Sequence, residues 1–151
     1  MPQELKEYES GLRKRKDEAL ARRNEWKRGY NKAKETGSYK GLSEDECFCE
    51  LIGAKGELSS HRKNLTSWRT ENKDSDKAKV VRTYHSILSD RVDAARLDEK
   101  LAKKGYKSAM DNSADEDTVR ELRNQFFIAS AKLTAHRQDL DALYELFPGL
   151  Q

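Results

Sequence analysis

Two His-Arg dipeptides are the residues of this chain best suited to chemistry. His61 and Arg62 lie in the segment Leu-Ser-Ser-His-Arg-Lys-Asn-Leu, and His136 and Arg137 lie in the similar segment Leu-Thr-Ala-His-Arg-Gln-Asp-Leu. Each histidine interrupts a row of apolar residues at helical spacing, so each is expected to face the interior of a helical fold. An imidazole changes its charge near neutral pH. The dipeptides therefore predict two similar sites that bind an anion or a partner protein.

Arginine and aspartate are the predicted neighbours of these histidines. If each half of the chain is an antiparallel helical hairpin, the facing helix carries one arginine and one aspartate at the height of the histidine. These residues are Arg15 and Asp17 in the first half, and Arg91 and Asp93 in the second. A contacting carboxylate raises the pKa of a histidine above about 6.5 and an arginine lowers it; we expect the carboxylate to dominate. The alternative is a polar layer that only fixes the register of the helices.

The sequence contains no pattern typical of a metal site or of an enzyme. Cys47 and Cys49 are the only cysteines, and no histidine lies near them in the sequence to complete a zinc site. The Glu-x-x-His spacing of di-metal bundles does not occur, nor do a Gly-rich phosphate loop, a nucleophile elbow or a His-Glu-x-x-His motif. We therefore expect no metal, no cofactor and no catalytic activity.

A basic run in the first forty residues indicates a second kind of partner. Its cations are Arg13, Lys14, Lys16, Arg22, Arg23, Lys27 and Arg28. A row of cations on one helix can follow a phosphate backbone, so RNA or DNA is the alternative ligand. Acidic residues are interleaved with these cations, and the matching stretch 88–92 lacks the run. An ion-paired, solvated helix face is therefore the simpler interpretation.

Internal similarity relates the two halves of the chain. Residues 8–33 align with 84–109 at an offset of 76, and residues 46–68 align with 121–143 at an offset of 75. The aligned residues are identical at 16 of 49 positions, where chance would supply about 3 at typical residue frequencies. The halves 1–75 and 76–151 are therefore predicted to be tandem copies of one helical hairpin, since a repeated unit usually buries its apolar face against its copy.

Apolar spacing predicts four helices. They cover residues 3–35, 44–71, 76–104 and 114–146. The apolar residues recur at alternating spacings of three and four, which is typical of helices that pack at shallow angles. The fold is therefore predicted to be all-α: an antiparallel four-helix bundle in a single domain of residues 1–151, built from two tandem-duplicated hairpins.

Local signals predict where these helices begin and end. Ser43 with Glu46, and Ser113 with Glu116, have the spacing of a capping box, so each serine is expected to start a helix. Lys103-Lys104-Gly105 is expected to end the third helix. The similar run of residues 27–29 is an alternative end for the first.

Charge is abundant and nearly balanced in this chain. Charged residues make up 38% of it, and the formal net charge is only +3. This composition favours long solvated helices with a narrow core over disorder. The segments 1–40 and 76–110 are basic, whereas 41–75 and 111–151 are acidic. An up-down-up-down bundle would therefore place opposite charges on neighbouring helices.

Function and location follow from what the sequence contains. No stretch is apolar enough for a membrane span or a secretory signal, and two free cysteines are typical of a reducing compartment, so we expect a cytoplasmic (intracellular) protein. We predict a non-enzymatic protein–protein interaction module, such as an adaptor, inhibitor or assembly factor, that is a monomer or homodimer. The alternative is a nucleic-acid-binding bundle that uses the basic run of the first helix.

Overall fold

The computed structural model describes residues 2–151, and almost all of them are helical. The helices are α1 (Pro2–Thr36), α2 (Glu44–Glu71), α3 (Lys77–Asp111) and α4 (Glu116–Leu146). A two-stranded antiparallel ribbon, β1 (Ser38–Tyr39) with β2 (Leu42–Ser43), joins α1 to α2, and a 3-10 turn (Pro148–Leu150) follows α4. The predicted all-α four-helix bundle is confirmed. None of the described helices is long and apolar enough to cross a membrane.

The helix starts are set by side-chain caps. The capping box predicted at the start of α2 is confirmed: the Ser43 hydroxyl accepts from the Glu46 N–H, and the Glu46 carboxylate accepts from the Ser43 N–H. The one predicted at Ser113 is wrong. Ser113 lies in the turn with a φ of 53°, and the Asp115 side chain caps α4 by accepting from the Thr118 N–H. A carboxylate at this position also complements the helix dipole.

The predicted first helix, residues 3–35, agrees with α1, and its alternative end at residues 27–29 is wrong. The predicted end of the third helix at Gly105 is also wrong, because both helices continue through their glycines. α1 runs past Gly29 to Thr36, and α3 runs past Gly105 to Asp111. A Cβ built on Gly29 would lie 2.6 Å from the ring of Tyr39 in the ribbon. The glycine therefore allows Tyr39 to pack against α1 and does not end the helix.

Helices α2 and α4 are the central pair of the bundle. They run in the same direction, since Cys49 contacts Asn124 near one end and His61 contacts Asp139 near the other. α1 packs mainly on α2, and α3 packs mainly on α4. α2 approaches α4 closely at Gly56, where an added Cβ would lie 3.4 Å from the main-chain carbonyl of α4. Small residues therefore bring the two inner helices together.

The expected pattern of charge between neighbouring helices is wrong. It predicted that α2 and α4, which lie in the two acidic segments, would not be close neighbours. The structure instead brings them together, whereas α2 with α3 and α1 with α4 make few contacts. Exposed charges are screened by water and salt and contribute little to the choice of neighbour. Close apolar packing at small residues favours the observed arrangement.

The large core lies at the end of the bundle where the chain enters α1 and α3 and leaves α2 and α4. Tyr8, Trp68 and Tyr84 meet there edge to face, with ring centroids 4.8 to 5.6 Å apart. Aliphatic side chains surround these rings: Leu5, Leu12, Leu65, Val80, Val81, Leu88 and Leu143. This core anchors all four helices and holds the polar side chains that lie beside it.

Candidate functional site

The Asp139 cluster, formed by Arg15, His61 and Asp139, is a buried set of charged and polar side chains beside the core. The carboxylate of Asp139 is fully buried, and its Oδ1 accepts from Arg15 Nε at 2.7 Å. His61 Nδ1 lies 3.0 and 2.9 Å from the two carboxylate oxygens. Asn64 donates its Nδ2 to Oδ2 at 2.7 Å. Three donors therefore replace water around the buried negative charge.

The Asn64 cluster, formed by Asn64, Arg91 and His136, is the counterpart in which an amide stands in place of the carboxylate. Arg91 Nη1 donates to Asn64 Oδ1 at 3.0 Å, and Asn64 Nδ2 lies 3.0 Å from His136 Nδ1. Arg91 Nη2 donates to Ser67 Oγ at 2.7 Å. The sequence alignment pairs each arginine and each histidine with its counterpart, and pairs Asn64 with Asp139.

Two tyrosines join the clusters to the core. The hydroxyl oxygens of Tyr8 and Tyr84, which are aligned residues, lie 3.1 Å apart, and Tyr8 also donates to the main-chain carbonyl of Asp139 at 2.8 Å. Burial raises the pKa of both hydroxyls well above their usual value, so both stay protonated. The pair acts as a hydrogen-bonded contact between α1, α3 and α4.

The network gives Nδ1 opposite hydrogen-bonding roles in the two histidines. Arg91 can only donate, so it faces the Asn64 carbonyl oxygen, and the Asn64 amide nitrogen then faces both Asp139 and His136. His136 Nδ1 must accept, which places the proton of a neutral ring on Nε2. His61 Nδ1 instead donates to the Asp139 carboxylate, and its Nε2 is buried without a hydrogen-bond partner. The difference between Asn64 and Asp139 therefore decides which histidine Nδ1 accepts and which donates.

The pKa of His136 corrects the electrostatic expectation from the sequence. Burial and the neighbouring Arg91 cation lower it to about 4, although Asp139 acts in the opposite direction. The predicted rise above about 6.5 is therefore wrong for His136, and the ring is neutral at neutral pH. The physical reasons are the burial of the ring and the nearby Arg91 cation, which the amide that contacts Nδ1 does not offset as a contacting carboxylate would.

The two predicted aspartates do not contact the histidines. Asp17 is exposed and pairs with Lys16 at 3.1 Å. Asp93 is also exposed and lies 3.9 Å from Arg96. Both belong to outward faces of α1 and α3, whereas Arg15 and Arg91 reach inward. Arg62 and Arg137 lie on the exposed surface next to the buried histidines, so the structure brings together only half of the predicted set.

The basic run of α1 is partly neutralised within the protein. Arg13 pairs with Glu9 at 2.7 Å, Lys16 with Asp17, and Arg22 with Glu57. Arg23 Nε donates to Asn24 Oδ1 at 3.1 Å. The remaining cations of the run are exposed: Lys14, Lys27 and Arg28. The run is therefore not one continuous strip of free positive charge.

The two cysteines are buried free thiols with separate surroundings. The Cys47 sulfur lies 3.8 Å from the carbonyl oxygen of Leu42, and the Cys49 thiol donates to Asn124 Oδ1 at 3.2 Å. Burial raises the pKa of both thiols, which disfavours the reactive thiolate. Residues 2–151 contain no group of three or more histidine, cysteine or acidic side chains placed to hold a metal ion.

A groove opens to solvent beside the Asn64 cluster, and we call it the α3–α4 groove. Arg91 and His136 lie on its lining, together with the cations Lys63 and Lys132. Its other lining residues include one carboxylate, that of Asp98, and are otherwise uncharged: Ala94, Ala95, Gln125, Ile128 and Ala129. Three cations thus face one carboxylate in a partly apolar depression.

Exposed leucines flank this groove on α3. Leu97 is 55% exposed and Leu101 is 58% exposed. Successive helical residues rotate by about 100°, so both leucines lie on the solvent side of Ala94, which lines the groove. Large apolar side chains with this exposure, next to one another and beside a depression, are typical of a contact surface.

Sequence reasoning missed the acceptors that organise the network, Asn64 and Asp139. Each lies three residues after a histidine in the two similar segments, and both are polar. A residue at this spacing shares the face of the histidine on a helix. That spacing was the signal in the sequence. It places Asn64 and Asp139 on the helix faces that carry the histidines, whereas the assumed hairpin compared only positions along two facing helices.

Comparison with protein-family models, with curated proteins and with solved structures finds no significant match to this chain. Function is therefore inferred from its own residues.

Proposed function

We propose that this protein is a non-enzymatic interaction module whose α3–α4 groove and flanking leucines bind an acidic amphipathic helix of a partner protein. The observation that carries the proposal is the pair of exposed leucines, Leu97 and Leu101, beside a groove that holds three cations. Helices commonly dock by laying an apolar face into such a groove. Burying one leucine contributes about 1.5–3 kcal/mol.

The positive charge of the groove favours an acidic partner. Lys63, Arg91 and Lys132 line it, and Asp98 is the one acidic residue among its lining residues. None of the three cations forms an ion pair among residues 2–151, so their charge is available. Complementary charge speeds association and disfavours wrong partners. An acidic helix therefore fits this surface better than a neutral or basic one.

A nucleic acid is the less favoured partner. Three of the seven cations in the basic run of α1 are held in ion pairs with acidic side chains of the protein. Phosphate contacts need free cations that track the backbone, and each cation held by a neighbour reduces the salt-dependent attraction.

The proposal includes a monomer in the cytoplasm, built by tandem duplication of a hairpin. Two buried free thiols support a reducing compartment. Contacts that recur between aligned residues support the duplication, such as Arg15 with Asp139 and Arg91 with Asn64.

The test uses designed helical peptides of about five turns, with leucines on one face and either glutamate or lysine on the other. We expect the acidic peptide to bind the full-length protein and the basic peptide not to bind, as measured by fluorescence anisotropy. The double variant Leu97→Gln, Leu101→Gln should weaken binding by at least about tenfold. Met110→Gln is the matched control, since Met110 is 48% exposed on the same helix but lies about 14 Å along the helix from Leu101, away from the groove.

Three results would overturn the proposal. The acidic peptide does not bind, or it binds equally well to the double leucine variant. Alternatively, sedimentation shows that the wild type is a dimer and the double leucine variant a monomer, which would mean that a second copy of the chain covers Leu97. Tight binding of RNA or DNA at about 50 mM salt, lost in a Lys14→Gln, Lys27→Gln, Arg28→Gln variant, would favour the nucleic-acid alternative instead.

A further inference from the structure

We propose that the Asn64 cluster and the α3–α4 groove form an oxyanion site that takes the carboxylate of an acidic side chain from the docked helix. This inference rests on the proposed function and deepens it, because it names the group at the centre of the contact. Arg91 and the neutral His136 ring would hold the anion, and Lys63 and Lys132 would flank it.

The first argument is the unequal charge of the two clusters. Arg15 has an internal counter-ion, the buried carboxylate of Asp139 at 2.7 Å. Arg91 donates only to neutral acceptors: the amide oxygen of Asn64, the hydroxyl of Ser67 and the main-chain carbonyl of Lys63. A half-buried guanidinium without a counter-ion is costly. An external carboxylate would supply the charge that Asp139 supplies in the other cluster.

The second argument is a pair of aligned charges whose signs are reversed. In the first repeat, Arg22 and Glu57 form an ion pair beside His61. Their aligned residues are Asp98 and Lys132, which line the α3–α4 groove and do not pair with each other among residues 2–151. The first half of the chain therefore has an internal ion pair at this position, and the second half has none. Lys132 is left free to meet a ligand.

The third argument is the tautomer of His136. Its Nδ1 accepts from Asn64, so the neutral ring carries its proton on Nε2, and this nitrogen has no partner among residues 2–151. His136 is 7% exposed and belongs to the lining of the groove. A fixed N–H donor beside a guanidinium suits an oxygen of a carboxylate or phosphate. His61 cannot act in this way, because its Nε2 is fully buried.

The test is a titration of the ¹⁵N-labelled full-length protein with inorganic phosphate at constant ionic strength. We expect saturable shifts for residues around the groove, including Ala94 and Ile128, and for His136 Nε2. The double variant Lys63→Gln, Lys132→Gln should weaken phosphate binding by about tenfold, since each charged hydrogen bond contributes about 1.5–3 kcal/mol before screening. The double variant Lys14→Gln, Lys27→Gln is the control, because it removes the same charge from α1.

Arg91→Gln is the second test of the site. It should abolish the phosphate shifts while the spectrum outside the groove stays that of a folded protein. The inference is overturned if no shifts saturate, or if both lysine double variants weaken binding equally, which would indicate only a diffuse cloud of counter-ions. It is also overturned if the acidic peptide binds the Lys63→Gln, Lys132→Gln variant as tightly as the wild type, although the proposed docking function would then stand. Saturable phosphate binding without peptide binding would leave the oxyanion site in place and refute the docking function.

Discussion

Replacement of Asp139 by asparagine is the perturbation that tests the buried network most severely. The carboxylate accepts from Arg15, His61 and Asn64 at 2.7 to 3.0 Å, and its side chain is fully buried. An amide has one acceptor oxygen and a donor group, so Asp139→Asn leaves at least one of these donors facing another donor. It also removes the counter-ion of Arg15.

The expected cost of Asp139→Asn follows from these contacts. Removing one partner of a buried ion pair costs about 3–5 kcal/mol. The Arg15 side chain is 21% exposed, so water can solvate it in part, and we expect about 3 kcal/mol. For a chain of this size that loss lowers the melting temperature by about 6–12 °C.

Urea unfolding followed by circular dichroism measures this cost. Asp141→Asn is the matched control, because Asp141 is exposed on the same helix and should change the free energy of unfolding by less than about 0.5 kcal/mol. Adding Arg15→Gln to Asp139→Asn should cost less than the sum of the single variants, with a coupling of at least about 1 kcal/mol. The reasoning is refuted if Asp139→Asn costs no more than Asp141→Asn, or if the double variant is additive.

Three further predictions concern other parts of the molecule. The pKa of His136 is about 4 in the folded protein and about 6.5 in the unfolded chain, so the unfolded chain binds more protons between these two pH values. The free energy of unfolding of the wild type, relative to that of His136→Gln, should therefore be constant above about pH 6.5. It should fall by at most about 3 kcal/mol as the pH is lowered to about 4. A pH-independent difference in urea unfolding would contradict this. Gly29→Ala forces its Cβ within 2.6 Å of the Tyr39 ring and should destabilise the protein by about 1–3 kcal/mol in thermal melts, whereas Gly149→Ala, with nothing within 4 Å, should have little effect. Amide hydrogen exchange should show α1 opening before α4, because α1 packs mainly on one neighbour, α2, whereas α4 packs on both α2 and α3. The reverse order would count against this packing argument.

Much of the fold was predictable because helical periodicity is a local property of the sequence. The bounds of α2 agree with the prediction, since Ser43 and Glu46 form a local capping box. The end of α3 was not predictable from Gly105, because a glycine inside a helix costs only about 1 kcal/mol and packing overrides that cost. The choice of α4 as the partner of α2 was also missed, since it depends on small residues such as Gly56 that let two helices approach.

Half of the candidate site was predictable from patterns within the sequence. The internal sequence similarity identified Arg15, His61, Arg91 and His136 as a related set, and all four belong to the network. The acceptors Asn64 and Asp139 were missed. The prediction matched positions along the two helices of an assumed hairpin and so chose Asp17, which faces solvent. Whether a histidine Nδ1 donates or accepts depends on which oxygen or nitrogen lies within about 3 Å. The aligned difference between Asn64 and Asp139 decides this role in the two clusters.

Arg15 has an internal carboxylate as its acceptor, whereas Arg91 has only neutral acceptors. The ¹⁵N and ¹H spectrum of the histidine side chains at neutral pH is the most direct test of this difference. The structure predicts that His136 is neutral with its proton on Nε2, that His61 carries a proton on Nδ1, and that only His136 shifts when phosphate is added. A charged His136, a His136 proton on Nδ1, or a His136 signal indifferent to phosphate would contradict the assignment of an open oxyanion site beside Arg91.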